Sequence, residues 1–75
     1  MEIKIENIIY PNELQAINTI ISMIPNGNLR ETYDFITTAR NQEDRLDKAN
    51  LKTGIGSDHI SVSNWRGERI LLITD

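Results

Sequence analysis

The first residues of the chain alternate between isoleucine and charged side chains. Ile3 and Ile5 each stand between charged neighbours, and a period of two is typical of a strand with one buried face. Pro11 ends this segment because proline cannot donate a hydrogen bond to a sheet. The pattern therefore predicts a first strand over residues 2–10, with a bend or fuller burial near Asn7.

Two amphipathic helices are predicted next, each opened by an asparagine. Asn12 and Asn28 have a side chain that caps helix N-termini, and a Gln or a Glu follows each of them three residues later. The apolar residues with helical spacing are Leu14, Ile17, Ile20, Ile21 and Ile24, then Leu29, Tyr33, Ile36 and Ala39. Residues 41–50 have opposite charges four positions apart, which favours a further helical segment, either continuous with the second helix or separate. Residues 51–57 contain two glycines and are predicted to form a linker.

The last third of the chain has the pattern of a β-hairpin. Residues 59–64 alternate between polar and apolar, and residues 69–74 are rich in strand-forming side chains. Between them, Trp65-Arg66-Gly67 suits a three-residue loop with glycine in the left-handed conformation. An uninterrupted ladder from this loop predicts that Val62 pairs with Ile70.

This register predicts two faces for the hairpin. The core face carries Ile60, Val62, Ile70 and Leu72, and the outer face carries His59, Ser61, Ser63, Arg69, Leu71 and Ile73. A strand that is apolar on both faces is usually central in its sheet, so residues 69–74 are predicted to lie between residues 58–64 and the first strand. The predicted fold is a single small α+β domain over residues 1–75. It is a two-layer β-α-α-β-β arrangement, with a three-stranded sheet and two helices on one face.

Composition narrows the class of protein. The chain has 75 residues, a formal net charge of −3 and no cysteine, which excludes disulfides and thiolate metal sites. The longest apolar run, residues 70–73, is far shorter than the ~20 residues of a membrane span. The N-terminus lacks the apolar stretch of a signal peptide, so we expect a cytoplasmic protein without a membrane partner. Isoleucine and asparagine are abundant and alanine is scarce, which suggests an AT-rich bacterial, phage or plasmid genome.

The sequence contains no recognisable catalytic constellation. His59 is the only histidine, and its neighbour Asp58 is predicted to point to the opposite face of the strand, so the two would not share a metal ion. The glycines of residues 53–57 precede a strand, whereas a phosphate-binding loop leads into a helix. Glu43 and Asp47 share a helix face with basic neighbours, which is typical of a solvated surface. We therefore expect a protein that is not an enzyme and has no cofactor and no metal site.

Binding to another protein is the leading interpretation. Two apolar residues with a polar rim on the outer face resemble a modest interface, and Trp and Arg are enriched at binding hot spots. The predicted contact residues are His59, Trp65, Arg66, Arg69, Leu71 and Ile73. The partner is a protein or a second copy of the chain, as in a homodimer. A small acidic protein of phage or mobile-element type would then act as an inhibitor or regulator by occluding its partner.

Nucleic-acid binding is the alternative interpretation. Residues 40–69 contain six basic and five acidic residues, and an exposed Trp can stack on a base while basic residues contact phosphates. The candidate residues are Arg40, Arg45, Lys48, Lys52, Trp65, Arg66 and Arg69. The net negative charge of the whole chain weighs against this interpretation.

Overall fold

Over the residues that the structure describes, the fold combines three helices with one antiparallel sheet. The structure is a computed structural model that describes residues 1–24, 27–38 and 40–75, without the side chains of residues 40–43. Its elements are β1 (Glu2–Ile5), α1 (Pro11–Met23), α2 (Leu29–Thr38), α3 (Arg40–Lys48), β2 (Lys52–Ile55), β3 (His59–Ser63) and β4 (Arg69–Thr74). The strand order is β1-β4-β3-β2, with every neighbouring pair antiparallel. The predicted α+β class and the central position of the last strand are therefore confirmed.

The sheet has four strands, and the prediction of three is wrong. The additional strand, β2, lies within the predicted linker and pairs with β3 from Lys52 opposite Ser63 to Ile55 opposite Ile60. Two apolar residues explain why it forms: Leu51, which directly precedes the strand, is buried, and Ile55, its last residue, packs against the core. The glycines made this segment look irregular, although a glycine weakens a strand without excluding it. The predicted helical segment at residues 41–50 corresponds largely to α3, a third helix.

The predicted N-cap residue is correct for α2 and wrong for α1. At α2, the Asn28 side-chain oxygen accepts a hydrogen bond from the Glu31 N–H at 2.9 Å, as predicted. At α1, the prediction of Asn12 as the cap is wrong, because Pro11 occupies the first helical position, where its missing N–H costs nothing. The Tyr10 N–H then donates to Glu13 Oε1 at 2.9 Å.

β1 is shorter than predicted because the chain turns away soon after Ile5. The Glu6 N–H still donates to the Ile70 carbonyl at 3.0 Å. Asn7 lies in the bend that follows, and its side-chain amide donates to the Arg69 carbonyl at 2.8 Å. The predicted bend near Asn7 is confirmed, whereas the predicted extension of the strand to residue 10 is wrong.

The loop of the β3–β4 hairpin is as predicted, but the ladder beyond it is interrupted. Gly67 has φ 78°, and Ser63 pairs with Arg69 as expected. One position further, however, Val62 pairs with Leu71, because the register shifts at a β-bulge. Ile70 is the extra residue of this bulge, and two residues of β4 therefore stand opposite one residue of β3.

The bulge reverses the predicted faces of β4. Because side chains alternate along a strand, a shift of one residue moves all later side chains to the other face. Leu71 and Ile73, predicted to be on the outer face, are 0% exposed and lie in the core. Leu72, predicted in the core, stands opposite Ser61 on the outer face and is half-buried. The assignment of Leu71 and Ile73 to an exposed contact face is therefore wrong.

The hydrophobic core lies on one side of the sheet. Side chains from all three helices pack with those of β3 and β4, including Ile17, Ile36, Leu46, Val62 and Leu71. Within the described part of the chain, the opposite, outer face of the sheet carries no helix, and Leu72 is its one large apolar side chain. Among the described residues, no helix is long and apolar enough to cross a membrane.

Candidate partner-binding surface

An arginine lies between two aromatic rings at the end of the hairpin. The guanidinium carbon of Arg66 is 4.7 Å from the ring centre of Tyr10 and 5.1 Å from that of Trp65. These distances lie within the ~6 Å range of cation–π attraction. Trp65 is 68% exposed, so much of its ring is available to another molecule. We call Tyr10, Trp65 and Arg66 the tip cluster.

Asn64 holds the loop that presents the tip cluster. Its buried side-chain oxygen accepts hydrogen bonds from the N–H groups of Arg66 and Glu68, each at 3.0 Å. Its amide nitrogen donates to Glu68 Oε1 at 3.0 Å. The Gly67 N–H donates to the Asn64 carbonyl, also at 3.0 Å. The loop conformation thus depends on Asn64 and Gly67, and the side chains of Trp65 and Arg66 are left for other contacts.

The Tyr10 side chain and nearby acidic groups favour the charged form of Arg66. The pKa of Arg66 is raised above its ordinary value, first by interaction with the Tyr10 side chain and further by the Glu68 and Glu13 carboxylates. Glu13 is only 1% exposed. Its Oε1 caps α1, while its Oε2 has no hydrogen-bond partner among the described residues. Tyr10 thus contacts Arg66 through its ring and Glu13 through its backbone N–H.

A shallow pocket adjoins the other side of Trp65. It measures about 300 Å³ and is lined by Asp47, Asn50, Leu51, Lys52 and Trp65. The pocket forms where α3 ends and β2 begins, because Asn50 adopts a left-handed conformation with φ 56° that turns the chain back to the sheet. The apolar Leu51 and the oppositely charged Asp47 and Lys52 thus extend the surface beside the tip cluster.

Arg69 forms an ion pair with Glu6 within the molecule. Its Nη2 donates to Glu6 Oε2 at 3.0 Å, and its Nε pairs with the other carboxylate oxygen. This two-point contact is a strong arrangement for an arginine and a carboxylate. It ties the start of β4 to the residue that follows β1.

His59 lies at the opposite end of β3 from the tip cluster. It is four residues from Ser63, which at about 3.3 Å per residue is a distance of about 13 Å. Its Nδ1 is 2.9 Å from Asp58 Oδ1, so the expectation that the two side chains point apart is wrong, because Asp58 precedes the strand. The pKa of Asp58 is lowered by this hydrogen bond and by the charge of the imidazole. A Cβ at Gly56 would overlap the His59 ring, so glycine there leaves room for the histidine.

The basic residues of the nucleic-acid alternative do not form one surface. Arg45 lies in the helical layer, where its Nη1 is 3.4 Å from the Thr19 hydroxyl. Lys52 and Arg69 lie on the outer face, in one row with Ser63. Lys48 is exposed on α3, and the side chain of Arg40 lies outside the described part of the chain. The structure thus distributes these charges over both sides of the molecule.

The structure brings together two of the predicted contact residues and one residue of the alternative set, and it adds others. Trp65 and Arg66 are adjacent, and Lys52 from the alternative set shares the pocket with Trp65. Sequence reasoning missed Tyr10 and Asn64. An asparagine before a tight loop is a recognisable signal, whereas nothing local indicates that Tyr10 meets a loop more than fifty residues away.

Two further observations bear on function. Within the described residues, no group of three or more His, Cys, Asp or Glu side chains is placed to hold a metal ion. Comparison of the chain with protein-family models, with curated proteins and with solved structures finds no match.

Proposed function

We propose that this chain is a non-enzymatic protein-binding module whose contact surface is the tip cluster. The observation that carries the proposal is the charged Arg66 held between Tyr10 and the largely exposed Trp65. Trp, Tyr and Arg are the residue types that most often dominate protein–protein binding energy. The Asn64 hydrogen bonds fix the loop before binding, and a preformed loop loses little conformational entropy in a complex.

The contact surface is smaller than the one expected from the sequence. Since Leu71 and Ile73 are buried, it comprises the tip cluster and the neighbouring pocket with Lys52 and Asp47. A small protein that binds through one rigid projection acts by occupying a site on its partner. We therefore propose regulation or inhibition by occlusion as its mode of action.

The proposal is tested by affinity capture from a lysate of the source organism. We expect Trp65→Ala to remove a partner that the unchanged protein captures, with at least about a tenfold loss of affinity, because truncating a hot-spot residue costs ~2 kcal/mol or more. Phe35→Ala is the matched control, since Phe35 is another exposed aromatic residue but lies on α2. Capture that is unchanged by Trp65→Ala, or lost equally in both variants, would contradict the proposal.

Nucleic-acid binding can be tested with the unchanged protein and an Arg66→Ala variant. Arg45 lies in the helical layer, apart from Lys52 and Arg69 on the outer face, and this separation weighs against the alternative. Salt-sensitive retention of the unchanged protein on a phosphate polymer, lost in Arg66→Ala, would favour it over the proposed function.

A further inference from the structure

β1 forms an open edge of the sheet, and its position suggests a second kind of contact. It pairs with β4 on one side only, and all four of its residues are exposed. The Glu6 N–H points to β4, where it donates to Ile70. Since backbone groups alternate in direction along a strand, the N–H and C=O groups of Ile3 and Ile5 point outward. Within the described chain, no backbone partner meets them there.

An apolar strip lies along the same edge, on the helical side of the sheet. Ile3 and Ile5 pair with the buried Ile73 and Leu71, yet the helices do not cover them, and Ile5 is 60% exposed. Met1 is exposed beside them. We call Met1, Ile3 and Ile5 the edge strip. Native proteins usually protect such an edge, so the strip indicates a covering partner.

The charges of β1 favour one occupant. Its outer face carries Glu2 and Lys4, which form an ion pair at 3.7 Å within the chain. In an antiparallel pair centred on Ile3, Glu2 of each strand stands opposite Lys4 of the other. An opposite-charge pair then forms twice, and such cross-strand pairs stabilise a sheet. The strand is therefore complementary to itself.

We propose that β1 pairs antiparallel with β1 of a second copy of this chain, with Ile3 opposite Ile3 of that copy. In this register the outward backbone groups of Ile3 meet each other, and those of Ile5 meet Met1. Shifting the strands by two residues would place Lys4 opposite Lys4 and Glu2 opposite Glu6. These like-charge pairs are unfavourable.

This arrangement forms a closed dimer with a continuous eight-stranded sheet. A two-fold axis perpendicular to the sheet leaves both helical layers on the same side. The two edge strips then lie together between these layers, which removes Ile3 and Ile5 from water. The tip clusters are formed by other residues, so the test of this dimer and the test of the proposed partner binding are independent of each other.

Charge reversal tests the pairing. We expect sedimentation equilibrium of the unchanged protein to detect a dimer. Glu2→Lys alone or Lys4→Glu alone should weaken the dimer affinity about tenfold, because each places like charges opposite each other. The double variant Glu2→Lys/Lys4→Glu restores the dimer because the charges are again complementary. Both side chains are largely exposed, so thermal unfolding of the monomer changes little. A monomer at every concentration up to ~1 mM, or a double variant no better than either single one, would overturn the proposal.

Cysteine crosslinking tests the register. The chain has no cysteine, so Ile3→Cys introduces a single thiol. Its Cα should lie about 5.5 Å from the same atom in the second copy, within reach of a disulfide. Lys4→Cys is the register control, with its two Cα atoms further apart, and Trp65→Cys reports random collision. Faster crosslinking of Ile3→Cys than of both controls supports the register, and faster crosslinking of Lys4→Cys or Trp65→Cys contradicts it.

Discussion

At the scale of single residues, Asn64 has the largest effect on the shape of the candidate surface. Its side chain makes three hydrogen bonds with residues of its own loop. We expect Asn64→Ala to destabilise the protein by about 1–3 kcal/mol, because it removes the acceptor of the part-buried N–H groups of Arg66 and Glu68. Urea unfolding measures this loss. Trp65→Ala in the same loop is the control, with an expected change within about 0.5 kcal/mol, and equal effects would show that the Asn64 bonds do not determine stability.

A second residue-scale prediction concerns the Asp58–His59 pair. Because the His59 side chain lowers the pKa of Asp58, we expect His59→Ala to return that pKa to the ordinary carboxyl range. Carboxyl-carbon NMR across a pH titration measures the change. The lowered pKa also has a consequence for stability, which is present above the unfolded-state pKa of about 3.9 and lost as the pH falls through the lower folded-state value. An Asp58 titration unchanged in His59→Ala would contradict this coupling.

At the scale of secondary structure, the β4 bulge explains why the observed hairpin register differs from the predicted one. The predicted loop was correct, and so was the Ser63–Arg69 pair beside it. The error arose at Ile70, within four consecutive apolar residues. Such a run is compatible with a regular strand buried on both faces or with a bulge that directs two neighbours to one face. Composition does not distinguish the regular strand from the bulged one, because the packing of the helices on one side of the sheet determines which of the two forms.

The face assignment is tested by a pair of neighbouring truncations in β4. We expect Leu71→Ala to cost about 2–5 kcal/mol, because Leu71 is fully buried and its truncation leaves a cavity. Leu72→Ala should cost clearly less, since Leu72 is half-buried on the outer face. Chemical denaturation of both variants gives the comparison. The uninterrupted register predicts the reverse order, so a larger loss for Leu72→Ala would contradict the bulge.

The elements themselves were predictable to different degrees. α2 and its cap followed from Asn28 and Glu31 because capping depends on residues close in sequence. β2 was missed because its pairing depends on a neighbouring strand and its own sequence contains glycine. The residues of the candidate surface also differ in how far the local sequence predicts them. Trp65 and Arg66 could be selected by residue type and loop position, whereas Tyr10 joins them only through the tertiary fold.

At the scale of the whole molecule, the helical layer covers only part of the sheet. It packs on β3 and β4 and leaves the helical side of β1 exposed. The molecule therefore presents two distinct surfaces, the tip cluster at the end of the hairpin and the edge strip along β1. The outer face of the sheet between them is largely polar. Contact with a different protein and contact with a second copy can thus occur at the same time.

The strand order also has a consequence for how the chain matures. β4 is the central strand of the β1-β4-β3 pairing, yet it follows every other element in the chain. During translation, neither β1 nor β3 can form its ladder with β4 until the ribosome has added residues 69–74. A chain interrupted earlier leaves Ile60 and Val62 without the strand that completes their layer, and such exposed apolar surface attracts chaperones and proteases. The topology therefore distinguishes chains that contain β4 from chains that end before it.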